Sequence, residues 1–195
     1  MKKRVAVLIS GRGSNMTALI EAAKDPSYPA EIALVLSNRA DAAGLARAKA
    51  EGIPTAVVDH VAFGKDREAF ERAVDVQLEK HRIDLVCLAG FMRVLTPYFV
   101  GRWEGRLINI HPSLLPAFKG LDTHARALKA GATHHGATVH FVVPEMDSGP
   151  IILQDSLRIL ATDDADTLAA RVLDLEHRIY PLALARVARG EVTIG

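Results

Sequence analysis

Cysteine is nearly missing: Cys87 stands alone among 195 residues, so no internal disulfide can form and a reducing compartment fits. An excess of either charge is missing too. Lys plus Arg total 24 against 23 Asp plus Glu, a formal net of +1, which argues against a general nucleic-acid binder with its basic surplus. No stretch approaches the ~18 consecutive apolar residues that a membrane-spanning helix needs. The basic start and short apolar run mimic a signal peptide only until Ser10-Gly11-Arg12-Gly13 cuts them off. Metal-ligand patterns are also lacking: there is no H-E-x-x-H or paired C-x-x-C, and His134-His135 has the wrong spacing. These absences predict a cytoplasmic protein that meets small molecules rather than nucleic acid or membrane, and holds no metal.

What is present is an ordinary globular balance, 49% apolar and 24% charged. The length suits one domain at ~100–200 residues each, so a single domain over 1–195 is expected. Val5-Ala6-Val7-Leu8-Ile9 is a continuous apolar run, as in a strand buried on both faces of a parallel sheet. A helix is predicted over Asn15–Lys24, a strand over Ile32–Leu36, a helix over Asp41–Glu51 and a short strand over Thr55–Val58. A helix over Asp66–Lys80 and strands over Asp84–Ala89 and Leu107–Ile110 follow. Strands alternating with helices in this way define an α/β fold with a doubly wound, mostly parallel sheet, Rossmann-like in plan. In the last third, Ala137–Val143 and Ile151–Ile159 are extended, joined by a loop short enough for an antiparallel hairpin. A long helix starts near Asp164 and is expected to break or kink near Pro181.

Gly11-Arg12-Gly13-Ser14-Asn15 falls between the first strand and the first helix. Glycine there lets backbone approach a ligand, and the helix N-terminus adds unpaired N–H groups and a positive dipole end. Ser14 and Asn15 bring a hydroxyl and an amide suited to phosphate oxygens. Met16 occupies the place of the third glycine of the dinucleotide fingerprint, and Ser37-Asn38-Arg39 stands where a ribose-binding acid belongs. A phosphate monoester is therefore expected rather than NAD; the alternative is a plain capped turn. In Asn109-Ile110-His111-Pro112 the amide and imidazole project from one face of an extended segment. They could hold a carbonyl oxygen as it becomes an oxyanion, or the histidine could be structural beside a proline-rich turn. Asp147 brings a loop carboxylate able to orient that imidazole, although Asp-Ser-Gly-Pro also reads as a turn. Cys87, inside an apolar strand, reads as core, and Arg67 by default as a solvated arginine.

Taken together and in order, these segments resemble the glycinamide ribonucleotide formyltransferase family, the folate-dependent enzymes of purine synthesis. The resemblance is carried by Leu8–Asn15, Leu88-Ala89-Gly90-Phe91-Met92-Arg93-Val94-Leu95, Asn109–Pro116, His135–Phe141, Glu145–Pro150 and Glu176–Pro181. It implies that the amine of glycinamide ribonucleotide attacks the formyl carbon of the co-substrate 10-formyltetrahydrofolate, with no metal. Asn109, His111 and Asp147 would be the catalytic residues, His111 as an imidazolium. Gly13, Ser14 and Asn15 would cradle the ribonucleotide phosphate, and Glu176 would meet the ribose hydroxyls. Met92, Arg93, Val94 and Leu95, with Val143–Asp147 and Asn109, would meet the pterin, and Arg67 the benzoyl-glutamate end. A homodimer is compatible with this picture. The chain departs from the family at Ala117-Phe118-Lys119 and at Asp122, where a histidine is usual. Asp122 is accordingly left out of the site, and His124 and His140 are given supporting roles only. The rivals are a methionyl-tRNA formyltransferase, which usually adds a C-terminal domain, and a formyltetrahydrofolate hydrolase, which usually adds an N-terminal one. A third is a phosphate-binding module without catalysis.

Overall fold

The computed structural model describes residues 1–194; Gly195, where the expected domain ends, lies outside them. Seven strands form one sheet in the order β3-β2-β1-β4-β5-β6-β7. They are β1 (Lys3–Ile9), β2 (Ala30–Ser37), β3 (Thr55–Val57), β4 (Leu85–Leu88), β5 (Leu107–His111), β6 (His134–Phe141) and β7 (Ile151–Arg158). The first five run parallel, while β6 is antiparallel to both β5 and β7. The helices are α1 (Ser14–Ala23), α2 (Ala43–Ala50), α3 (Arg67–Lys80), α4 (Pro97–Arg102), α5 (Thr123–Lys129) and α6 (Ala165–Ala188).

Side-chain alternation sorts the core into two layers. Val5, Val7 and Ile9 of β1 face the layer of α1, α2 and α6, where Met16, Leu45, Leu175 and Tyr180 are buried. Ala6 and Leu8 face the layer of α3 and α4, with Phe70, Val74, Phe99 and Trp103. A strand covered on both sides has to be apolar at every position, which is why the β1 run reads without alternation. The antiparallel corner is different. Ile108, Ile110, Ala137, Val139 and Phe141 pack on the α6 layer. On the opposite face, Asn109 lies across from His140 and His111 across from Thr138.

Some expected boundaries move. β6 begins at His134 rather than Ala137, and α4, α5 and a 3-10 turn at His60–Phe63 were not expected at all. The last helix is not broken at Pro181: it runs to Ala188. Proline removes one N–H, but Ile179, Tyr180, Ala183 and Leu184 bury a continuous face across it, which outweighs one lost bond. Asp164 and Thr167 close a capping box at its start.

Candidate active site

Strand order turns between β1 and β4, and in open parallel sheets ligands lodge there, outside the carboxyl ends of the strands. Three loops leave that edge side by side: 10–13 after β1, 89–96 after β4 and 112–122 after β5. A cleft of about 420 Å³ opens between the first two. Its walls include Ser10, Gly13, Ser14, Asn15, Asn38, Arg39, His60, Met92, Arg93 and Arg12, and no carboxylate.

The glycine loop is shaped from below. Gly13 sits at φ 71° as the residue before α1, a backbone region in which a side chain is strained. The first helical bond runs from the Thr17 N–H to the Gly13 carbonyl (2.9 Å), so the amides ahead of it have no helical partner. Gly44 N–H holds the Gly11 carbonyl at 3.0 Å, and a Cβ on Gly44 would stand 2.5 Å from Ile9 Cδ1. Met16, which denies the loop its third glycine, is fully buried beneath it.

Asn15 does not cap its helix. Its Nδ2 donates to Glu176 Oε1 on α6 at 3.1 Å, and both residues are buried. Asn15 Oδ1 is buried without a partner. Burial pushes the Glu176 carboxyl up to about 7, against the pull of the Asn15 bond. An unpaired acceptor and a desolvated carboxylate, side by side, suit a ligand that brings hydroxyl donors.

On β5, alternation delivers Asn109 and His111 to one face, and the hairpin loop brings Asp147 to His111. His111 Nδ1 lies 3.5 Å from Asp147 Oδ2, and His140 Nε2 lies 3.8 Å from Asp147 Oδ1. The Gly120 N–H donates to Asp147 Oδ2 at 2.9 Å, and Lys119 Nζ donates to Ser148 Oγ at 2.5 Å, so the 117–121 segment is tied to the hairpin loop. His111 Nε2 is 2.9 Å from the Phe118 carbonyl, an acceptor only, so that nitrogen carries a proton. An imidazolium would thus find an acceptor at each ring nitrogen. His140 Nδ1 donates to the Phe141 carbonyl at 2.9 Å, leaving a buried, unpaired Nε2 toward Asp147, and burial lowers its pKa. Nearby, burial holds His135 down at about 4, with charge on His124 and His111 acting the same way.

The expected residues therefore fall in three groups. His111 and Asp147 meet at the end of β5, with Asn109 on the same strand face; Gly13, Ser14 and Asn15 line the cleft, and Asn15 reaches Glu176 on α6; Met92 to Leu95 lie on the loop after β4. Arg67 is exposed in the first turn of α3 and shares a helix face with Phe70 and Glu71, at spacings of three and four, which faces that loop. The supporting role expected of His140 takes the form of a place beside Asp147, which the strand register sets two residues after Thr138 on the same face. Sequence reasoning missed Asn38, Arg39 and His60 as walls of the cleft. Among the described residues, no cluster of three or more His, Cys, Asp or Glu side chains has metal-binding geometry. No helix among them is long and apolar enough to cross a membrane.

A model of the formyl transferase family matches residues 3–184. The phosphoribosylglycinamide formyltransferase of Escherichia coli is 47% identical over 188 residues, which span 96% of this chain and 88% of that protein. A solved phosphoribosylglycinamide formyltransferase from Brucella melitensis superposes with a TM-score of 0.93 at 52% identity, covering 98% of each chain. The trifunctional purine biosynthetic protein adenosine-3 of Homo sapiens is 50% identical over 194 residues, but this chain spans only 19% of its length. The chain belongs to the formyl transferase family, among the phosphoribosylglycinamide formyltransferases, and it is a transferase.

Proposed function

We propose that this chain is a single formyltransferase domain that moves the formyl group of 10-formyltetrahydrofolate to the amine of glycinamide ribonucleotide. The observation that carries this reading is that His111 and Asp147 meet at the end of β5, with Asn109 on the same face of that strand, on the sheet edge from which the glycine loop also leaves, two strands away. The family's folate-derived donor and the arginine-lined, carboxylate-free cleft, suited to a phosphate, support it.

The amine nitrogen attacks the formyl carbon, and the carbonyl π electrons move onto oxygen. His111 as imidazolium and the Asn109 amide stabilise that oxyanion, while Asp147 holds the imidazolium at Nδ1. As the oxyanion collapses, the bond from carbon to the folate N10 breaks. The proton lost by the attacking amine ends on N10, giving the formylated amine and tetrahydrofolate. His111 Nε2 now points at the Phe118 carbonyl, so the reading requires that carbonyl to yield its place to the formyl oxygen. Gly13, Ser14 and Asn15 hold the phosphate and Glu176 the ribose. The backbone of Met92 to Leu95, with Asn109 and the loop ending at Asp147, meets the pterin, and Arg67 meets the glutamate end.

The test is steady-state formyl transfer followed by absorbance, with and without the ribonucleotide, on wild type and His111→Ala. Turnover that needs the ribonucleotide and drops ~10²-fold or more in the variant is expected, the loss typical for one oxyanion donor. Turnover without ribonucleotide would instead make the protein a hydrolase of the folate.

A further inference from the structure

Glu71 is 1% exposed on α3, yet no cation pairs with it among the described residues. Its donors all come from one residue across the layer. Oε1 accepts the Thr96 N–H at 2.7 Å, and Oε2 accepts the Thr96 hydroxyl. Thr96 closes the 89–96 loop, immediately before Pro97 opens α4. One turn further along α3, buried Asp75 accepts from Tyr98 Oη (2.9 Å) and from Trp103 Nε1 (2.7 Å). At the other end of the loop, Phe91 stacks on Phe70 with centroids 6.4 Å apart and planes 16° apart, and the Arg93 guanidinium lies 5.8 Å from the Phe70 ring. The loop that carries exposed Met92 and Val94 is therefore fastened at both ends to α3, the helix that begins at Arg67.

Burying a carboxylate with neutral donors alone is costly, and an apolar residue would pack there more cheaply. What the carboxylate adds is direction: two bonds to one residue fix where the loop ends. We propose that Glu71 is a positioning residue that sets the span between the 92–95 backbone and Arg67, and so selects a folate by length from its ring to its carboxylate. This deepens the proposed function and rests on its placement of the folate along that span. Glu71 touches no substrate; it acts through Thr96.

The test measures KM for both substrates and kcat, with the direct Kd of 10-formyltetrahydrofolate from tryptophan fluorescence, in Glu71→Ala, Glu71→Gln and Thr96→Val. Glu71→Ala is expected to raise the folate KM and Kd about tenfold, the scale of one lost buried charged hydrogen-bond pair, with kcat and the ribonucleotide KM within about twofold. Glu71→Gln keeps an acceptor for the N–H and offers a donor to the hydroxyl, so it stays within about twofold of wild type. Thr96→Val removes the hydroxyl alone and raises the folate KM about threefold. In an Arg67→Ala background, Glu71→Ala adds less than about threefold, because the span it sets has lost one end. Equal rises in both KM values, failure of the Gln variant to rescue, or full additivity with Arg67→Ala would reduce Glu71 to a part of the core. Unchanged folate affinity in Glu71→Ala would overturn the proposal alone, whereas a wild type that does not bind the folate would overturn the proposed function itself.

Discussion

On the α1/α6 side of the cleft, the polar groups are buried and left short of partners: Asn15 Oδ1 has none, and Glu176 is desolvated to the edge of neutrality. On the α3 side, the loop surface is open, with Met92 72% and Val94 66% exposed, and its polar bonds are completed behind it by Glu71. Under the proposed function, one wall would hold its specificity in atoms that meet the ligand, the other in atoms that hold a backbone in place. Substitutions should therefore separate the substrates. Changes in the α1/α6 wall act directly on the ribonucleotide, and changes behind the α3 wall act on the folate at one remove.

The sharpest separation comes from Asn15→Ala. It removes the side chain that the proposed function places on the phosphate, and one lost hydrogen bond to a charged group costs about 2 kcal/mol, or roughly 30-fold in ribonucleotide KM. The folate KM should hold within about twofold. A matched rise in both would mean the two walls are not independent. Gly13→Ala comes next. Its φ of 71° is strained for a side chain, and the new Cβ would stand 3.1 Å from Met16 Cε, which can shift. A strain of about 1–2 kcal/mol on the glycine loop, which the proposed function places on the phosphate, predicts about a tenfold rise in ribonucleotide KM, again with the folate KM steady. If Gly13→Ala behaves as wild type, the loop does not hold the phosphate.

How readily each wall shows in the sequence follows from the same contrast. The parallel strands are plain because layers on both faces force apolar residues at every position, as in Val5 to Ile9. The glycine loop is plain because φ 71° at position 13 strongly favours glycine. Period-two alternation puts Asn109 and His111 on one face, but only the family resemblance gives them a catalytic role. Much else does not show. α4 is six residues long and starts with Pro97, and α5 is seven residues without an apolar stripe, so periodicity has too little chain to register. The start of β6 at His134-His135-Gly136 looks like a polar turn. In fact Gly136 is forced by a close neighbour strand, since a Cβ there would stand 2.1 Å from the Asp155 carbonyl oxygen. The Glu71 to Thr96 bond joins residues 25 apart, and nothing local in either marks it. Backbone-determined features can be read from local sequence; a pairing made by tertiary packing shows only where a family resemblance supplies it, as for His111 and Asp147 but not for Glu71 and Thr96.

The smallest effect discriminates best, because it couples the buried wall to pH. The Glu176 carboxyl rises from 4.5 to about 7 on folding, so the folded chain holds that proton more tightly than the unfolded one. Its contribution to stability is complete below about 4.5 and fades as pH rises through about 7, which leaves a cost of about 1–3 kcal/mol at pH 8. Glu176→Gln removes the titration while keeping an acceptor for Asn15. It should raise the melting temperature by a few degrees at pH 8 and by almost nothing near pH 5. Binding runs the other way. If ribose hydroxyls donate to the ionised carboxylate, as the proposed function has it, loss of the ionised fraction should make the wild-type ribonucleotide KM climb up to about tenfold between pH 8 and pH 6. The substrate's own phosphate and amine also titrate in this range, so the share of Glu176 is the difference between the two proteins: the slope should be up to about tenfold shallower in the variant, with no such difference in the folate KM. An equal slope in both proteins would assign the titration to another group. A variant no more stable at pH 8 would mean that Glu176 is better solvated than its burial implies, and the α1/α6 wall would lose the feature that sets it apart.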